Sequence, residues 1–113
     1  MSNVEKMLLT GSTNGKPVLV VATASTGTTI HQAVSGTTNL DEIWLWAVNL
    51  DTVNRTLNLQ WGDTARIRKF ILEPSVETLI APGWLLQNSL LVTAFTPSAA
   101  NLIEIIGHVH RIT

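Results

Sequence analysis

Histidine, carboxylate and tryptophan side chains are the groups in this chain whose spacing suggests chemistry. His108 and His110 stand two residues apart, and Glu104 precedes His108 by four. Alternate side chains of an extended strand point to one face, so all three project together. Imidazoles beside a carboxylate titrate near neutrality and ligate transition metals. A metal centre needs three or four converging ligands. Within one chain, therefore, these residues read as a polar face at a sheet surface or subunit contact, and as a metal site only where copies meet about an axis. His31, in Thr28-Thr29-Ile30-His31-Gln32-Ala33-Val34, reads as a polar position on an alternating strand. No metal and no cofactor are expected.

Nucleophilic catalysis would need a serine or threonine on a strained turn, backed by a histidine and an acid. The stretches Gly11-Ser12-Thr13-Asn14-Gly15 and Ser25-Thr26-Gly27-Thr28 match neither a nucleophile elbow nor a phosphate-cradling loop. Asp41 and Glu42 are adjacent and so point to opposite faces of a strand, which prevents them from acting as a catalytic carboxylate pair. There is no cysteine, hence no thiolate nucleophile, zinc thiolate or disulfide. No catalytic residue is expected, and the chain reads as non-enzymatic.

Four tryptophans with no tyrosine suggest recognition instead. Trp44 and Trp46 share one face, and Trp61 is expected on the strand that pairs with theirs. That grouping suits a platform for sugar rings, but its strongly apolar setting suits a core or an interface anchor better. Trp84 follows Pro82-Gly83 at an expected turn and is a candidate exposed contact with a partner. Arg66, Arg68 and Lys69 form the sole basic cluster, with Arg66 and Arg68 on one face. They suit an acidic protein neighbour, or the charged blunting of an edge strand. A net charge of −1 leaves no basic surplus for binding nucleic acid or an anionic membrane.

Strands must position these groups. Fifteen threonines with abundant valine and isoleucine favour pleated sheet over helix. In Val53-Asn54-Arg55-Thr56-Leu57-Asn58-Leu59-Gln60-Trp61 the apolar side chains at 57, 59 and 61 alternate with polar ones, the period of a strand with one wet face. Glu42 to Leu50 is apolar on both faces, as in a strand covered on both sides, and Asn49-Leu50-Asp51-Thr52 is expected to join these two as a hairpin. Further strands are expected over Val18–Ala24, Thr28–Val34, Ala65–Leu72, Val76–Ala81, Ser89–Thr96 and Asn101–Ile112. Eight strands separated by Gly, Pro, Asn and Ser predict an all-β, single-domain antiparallel β-sandwich over residues 17–113, of jelly-roll or immunoglobulin-like topology. Residues 1–16 read as an N-terminal arm whose patch Met7, Leu8, Leu9 docks on a partner. The alternative is that Asn14-Gly15 closes a hairpin there, since both central positions of a type I′ turn accept positive φ.

Only fifteen of the 113 residues are Asp, Glu, Lys or Arg, or 13%, against the roughly 25% of an ordinary domain. A folded chain of this mass exposes roughly 6,000 Å², about one charge per 400 Å². So bland a surface predicts cover by other protein. The start of the chain lacks the basic and apolar runs of a signal peptide, and no stretch is long enough to span a bilayer. Synthesis and retention in the cytoplasm, with release by lysis, are expected.

Four segments carry a family resemblance: Thr28-Thr29-Ile30-His31-Gln32-Ala33-Val34, Asp41-Glu42-Ile43-Trp44-Leu45-Trp46-Ala47-Val48-Asn49, Thr56-Leu57-Asn58-Leu59-Gln60-Trp61-Gly62 and the ending Gly107-His108-Val109-His110-Arg111-Ile112. From about Pro17 to the end the chain resembles small virion structural proteins of tailed bacteriophages. The resemblance implies a β-sandwich subunit, and best matches a capsid decoration or cement protein on the head exterior. It implies the major capsid protein as partner and self-association, often as a trimer. A tail or connector subunit, or a carbohydrate-binding adhesion module, are the alternatives.

Overall fold

The computed structural model describes residues 3–113. Nine strands form: β1 (Val4–Met7), β2 (Val18–Leu19), β3 (Thr28–Gln32), β4 (Leu40–Asn49), β5 (Arg55–Trp61), β6 (Ile67–Leu72), β7 (Glu77–Leu86), β8 (Leu91–Phe95) and β9 (Ile103–Ile112). Among the described residues there is no helix. One sheet runs β1-β9-β4-β7, with β2 also on β9, and the other runs β3-β8-β5-β6; every strand pairing is antiparallel. The expected all-β sandwich is the observed architecture.

Pairing order decides between the two expected topologies. β5 pairs with β6, β4 with β7, β3 with β8 and β2 with β9, so the chain is one long hairpin folded at the β5–β6 connection. Rolling that hairpin sends alternate pairs to opposite sheets, which is the jelly-roll arrangement. The inner faces meet in a core that includes Ile30, Ile43, Leu45, Leu57, Leu59, Leu72, Ile80 and Ile105, each at most 1% exposed.

Three expectations change. First, β4 and β5 do not form a hairpin; they belong to different sheets. Asn49 turns the chain across the sandwich. Its buried Nδ2 donates to the carbonyls of Val53 (2.8 Å) and Leu72 (3.0 Å), and its Oδ1 accepts from the Asp51 amide at 2.9 Å. Trp61 is consequently in the sheet opposite Trp44 and Trp46.

Second, the described part of the expected arm belongs to its own sandwich. β1 pairs with residues 109–112 of β9 and β2 pairs with residues 104–105, so together they cap an edge of β9 that would otherwise be bare. Met7 packs on the core and Leu9 is buried in it, while Leu8, between them, is 55% exposed. Met1 and Ser2 of that expected arm lie outside the described residues. Asn14-Gly15 does turn the chain, since both residues have positive φ (55° and 87°) and the Lys16 amide donates to the Thr13 carbonyl at 3.0 Å, but it closes no hairpin, because β1 and β2 each pair with β9 and not with each other.

Third, Pro82-Gly83 does not end its strand. β7 continues to Leu86, with register shifts against β4 on the Ile43 to Trp46 segment. Proline is tolerated because β7 lies at the sheet edge, and Gly83 (φ +78°) supplies the left-handed residue that such irregularities use.

Candidate functional site

Three places gather the side chains singled out in the sequence. The first is the outer face of the five-stranded sheet. β4 directs Ile43, Leu45 and Ala47 into the core, so Glu42, Trp44, Trp46 and Val48 point outward. Cross-strand register places His110 beside Glu42, His108 beside Trp44 and Ile106 beside Trp46. The Trp44 and Trp46 rings are near-parallel with centroids 6.3 Å apart, and His108 lies 6.5 Å from the first and 5.9 Å from the second. His110 continues the row, 5.1 Å from His108. Glu42 accepts from Trp44 Nε1 at 2.7 Å and lies 3.5 Å from His110 Nδ1. Burial, then the neighbouring His110 and Lys6, lower the His108 pKa against the opposing pull of Glu42. His110 Nε2 is enclosed without a partner among the described residues.

Glu104 shares this face but sits opposite Val48, with Ile106 between it and His108. The carboxylate that accompanies the histidines is Glu42, contributed across the ladder and thus invisible to spacing along β9. No cluster of three or more His, Asp or Glu side chains placed to hold a metal ion occurs among the described residues.

The second place is buried. His31 and Asp41, both fully inaccessible, meet between β3 and β4 with Nε2 and Oδ2 2.8 Å apart. His31 Nδ1 accepts from the Thr10 amide at 3.1 Å, which leaves Nε2 to carry the proton and donate it to Asp41. Arg111 completes a fork on the same carboxylate, Nε to Oδ1 at 2.8 Å and the terminal nitrogen to Oδ2 at 3.0 Å, and the Val34 amide adds a fourth donor at 3.1 Å. Burial works to raise the Asp41 pKa, but Arg111 and His31 outweigh it and hold the carboxyl below its ordinary value. Burial dominates at His31 and lowers its pKa. Both imidazole nitrogens are engaged, so the pair has no free base to offer a substrate. Its geometry is that of a clamp joining the N-terminal segment, β3, β4 and the end of β9.

The third place is a groove of about 630 Å³ at the tip of the rolled hairpin, lined by Trp61, Ala65, Arg66, Ile67, Arg68 and Trp84. Arg68 is opposite Leu59 in the β5–β6 register and therefore shares its inward side, as does Arg66 two residues earlier. Trp61 and Trp84 bridge the two sheets edge to face, with centroids 5.2 Å apart at 89°. Trp84, expected as an exposed contact, is instead half-buried against the core, because the irregular run of β7 turns it inward. Lys69 projects from the opposite side of β6, so the expected basic cluster divides. Neither Arg66 nor Arg68 has a carboxylate within ion-pair distance among the described residues. Comparison of the chain with protein-family models, curated proteins and solved structures finds no match.

Proposed function

We propose that this chain is a non-enzymatic structural subunit of a virion: a capsid decoration protein that binds the head exterior of a tailed phage and stabilises the shell. In this reading it is a homotrimer seated on the major capsid protein. The observation that carries the reading is the uncovered outer face of the five-stranded sheet. β4 is apolar on both faces, yet the fold covers only the inner one. Around Trp44 and Trp46 the outer face adds Leu79 (44% exposed), Leu85 (52%) and Ile106 (40%). These side chains are already about half covered, so completing their burial is worth on the order of 1 kcal/mol each, and covering the whole face with protein is favoured. Repetition over a shell multiplies modest contacts through avidity, and no single tight site is needed.

Size-exclusion chromatography with light scattering should give a stable oligomer, and quantitative proteomics of purified virions should find the chain in many copies. A monomer absent from particles would end this reading, and a few copies confined to the tail would move the protein to a tail or connector.

The near-parallel row of Trp44, Trp46 and His108, with Glu42 at its side, supports glycan adhesion as a second reading. Titration with polysaccharides separates the two: a saturable change in tryptophan fluorescence belongs to adhesion, and none to a protein interface.

A further inference from the structure

The groove at the hairpin tip has chemistry that the apolar sheet face does not. Two aromatic rings form its floor, and two guanidinium-bearing side chains with no ion-pair partner among the described residues stand at its rim. One wall is β6, the last strand of its sheet. The Trp61 amide donates to the Arg66 carbonyl at 2.9 Å. In an antiparallel ladder hydrogen-bonded pairs alternate, so Arg68, Phe70 and Leu72 also pair toward β5. Ile67, Lys69 and Ile71 then turn their amides and carbonyls to the open edge. Ile71 is 71% exposed, the most exposed large apolar side chain described.

From these features we infer that the groove binds an extended acidic segment of a partner protein, added as a strand to the free edge of β6. Backbone groups of residues 67, 69 and 71 supply the ladder. Acidic side chains on the inward-facing side of the added strand pair with Arg66 and Arg68 beside Trp61 and Trp84, and the apolar ones between them, on the other face, pack against the exposed Ile67 and Ile71. Strand addition gives affinity through the main chain, while the arginines on one face of β6 and Ile67 and Ile71 on the other select for alternating acidic and apolar residues. Nucleic acid fits less well: two arginines neutralise too few phosphates, and Lys69 faces away. The inference rests on the structural-subunit reading above only for the partner being a shell protein.

The test uses the full chain and three probes: a short synthetic peptide alternating glutamate and valine, its counterpart with lysine for glutamate, and oligodeoxythymidylate. The acidic peptide should bind saturably and more weakly as salt rises. It should shift the indole N–H resonances of Trp61 and Trp84 and leave those of Trp44 and Trp46 in place. Arg66→Ala/Arg68→Ala, both at exposed positions, should weaken that binding roughly tenfold or more while thermal stability holds. Lys69→Pro removes one outward amide without touching the β5 ladder and should weaken it as well. Equal binding of the lysine peptide, tighter binding of the oligonucleotide, or an unchanged affinity in the double-arginine variant each overturns the proposal. Virion occupancy separates this proposal from the functional reading. Peptide binding by a protein absent from particles would sink the functional reading and leave the groove standing. Full occupancy by a double-arginine variant whose peptide affinity is also unchanged would do the reverse.

Discussion

His31 Nε2 and Asp41 Oδ2 lie 2.8 Å apart with neither side chain reaching solvent, and Arg111 closes on the same carboxylate from the last strand. Ten residues separate His31 from Asp41, and seventy separate Asp41 from Arg111. The cluster ties the first residues of the domain to its last strand.

Removing the carboxylate leaves a buried imidazole N–H and part of a guanidinium without an acceptor. Asp41→Ala should therefore cost about 3–5 kcal/mol of folding stability, read as a lower urea midpoint with an unchanged slope. An unchanged midpoint would show that the clamp does not hold the sandwich closed.

Acid should act through the same pair. The folded state holds the His31 pKa below its ordinary 6.5, so below that pH the unfolded chain binds the additional proton. The stability tied to neutral His31 is complete above about pH 6.5 and is lost progressively as pH falls toward the lowered folded value. Asp41, also lowered, adds a second loss below its ordinary 3.8. His108 is lowered as well and contributes with the sign of His31. The melting temperature should decline from pH 7.5 to 5, and His31→Gln should flatten part of that decline; a melting temperature that rises toward pH 5 would contradict it.

Gly83 lies beneath the Trp44 indole on the neighbouring strand. A Cβ there would come within 2.9 Å of the ring, at a backbone φ of +78° that disfavours any L side chain. Gly83→Ala should destabilise by about 1–3 kcal/mol and change the Trp44 emission, since the ring or the strand must move. Circular dichroism melts with fluorescence spectra would check both effects.

Ile106 stands among Trp46 and the outer aromatic row and is open to solvent in the single chain. Ile106→Asp should leave the melting of the isolated domain within about 1 kcal/mol of wild type. In the oligomer it places an unpaired charge inside an apolar contact, and association should weaken by roughly two orders of magnitude. Light scattering across a dilution series measures it; an oligomer of wild-type strength would show that this face is not the contact.

The chain's strand content was legible in its residues. Period-two alternation in residues 53–61 and the opposed directions of Asp41 and Glu42 follow from strand geometry alone, which assigns a face to every residue. Low charge with β4 apolar on both sides likewise exposed a surface that the domain leaves uncovered. Alternation says nothing about which strand lies next door, because pairing joins residues distant in sequence. Only the tertiary structure could therefore move Trp61 to the opposite sheet, bring Glu42 rather than Glu104 to the histidines, and bury His31 against Asp41. It also turned Arg66 and Arg68 inward at the hairpin tip while Lys69 faced away. The local code set which way each side chain points; the rolled order of the strands, fixed by mutual burial of their apolar faces, decided what it meets.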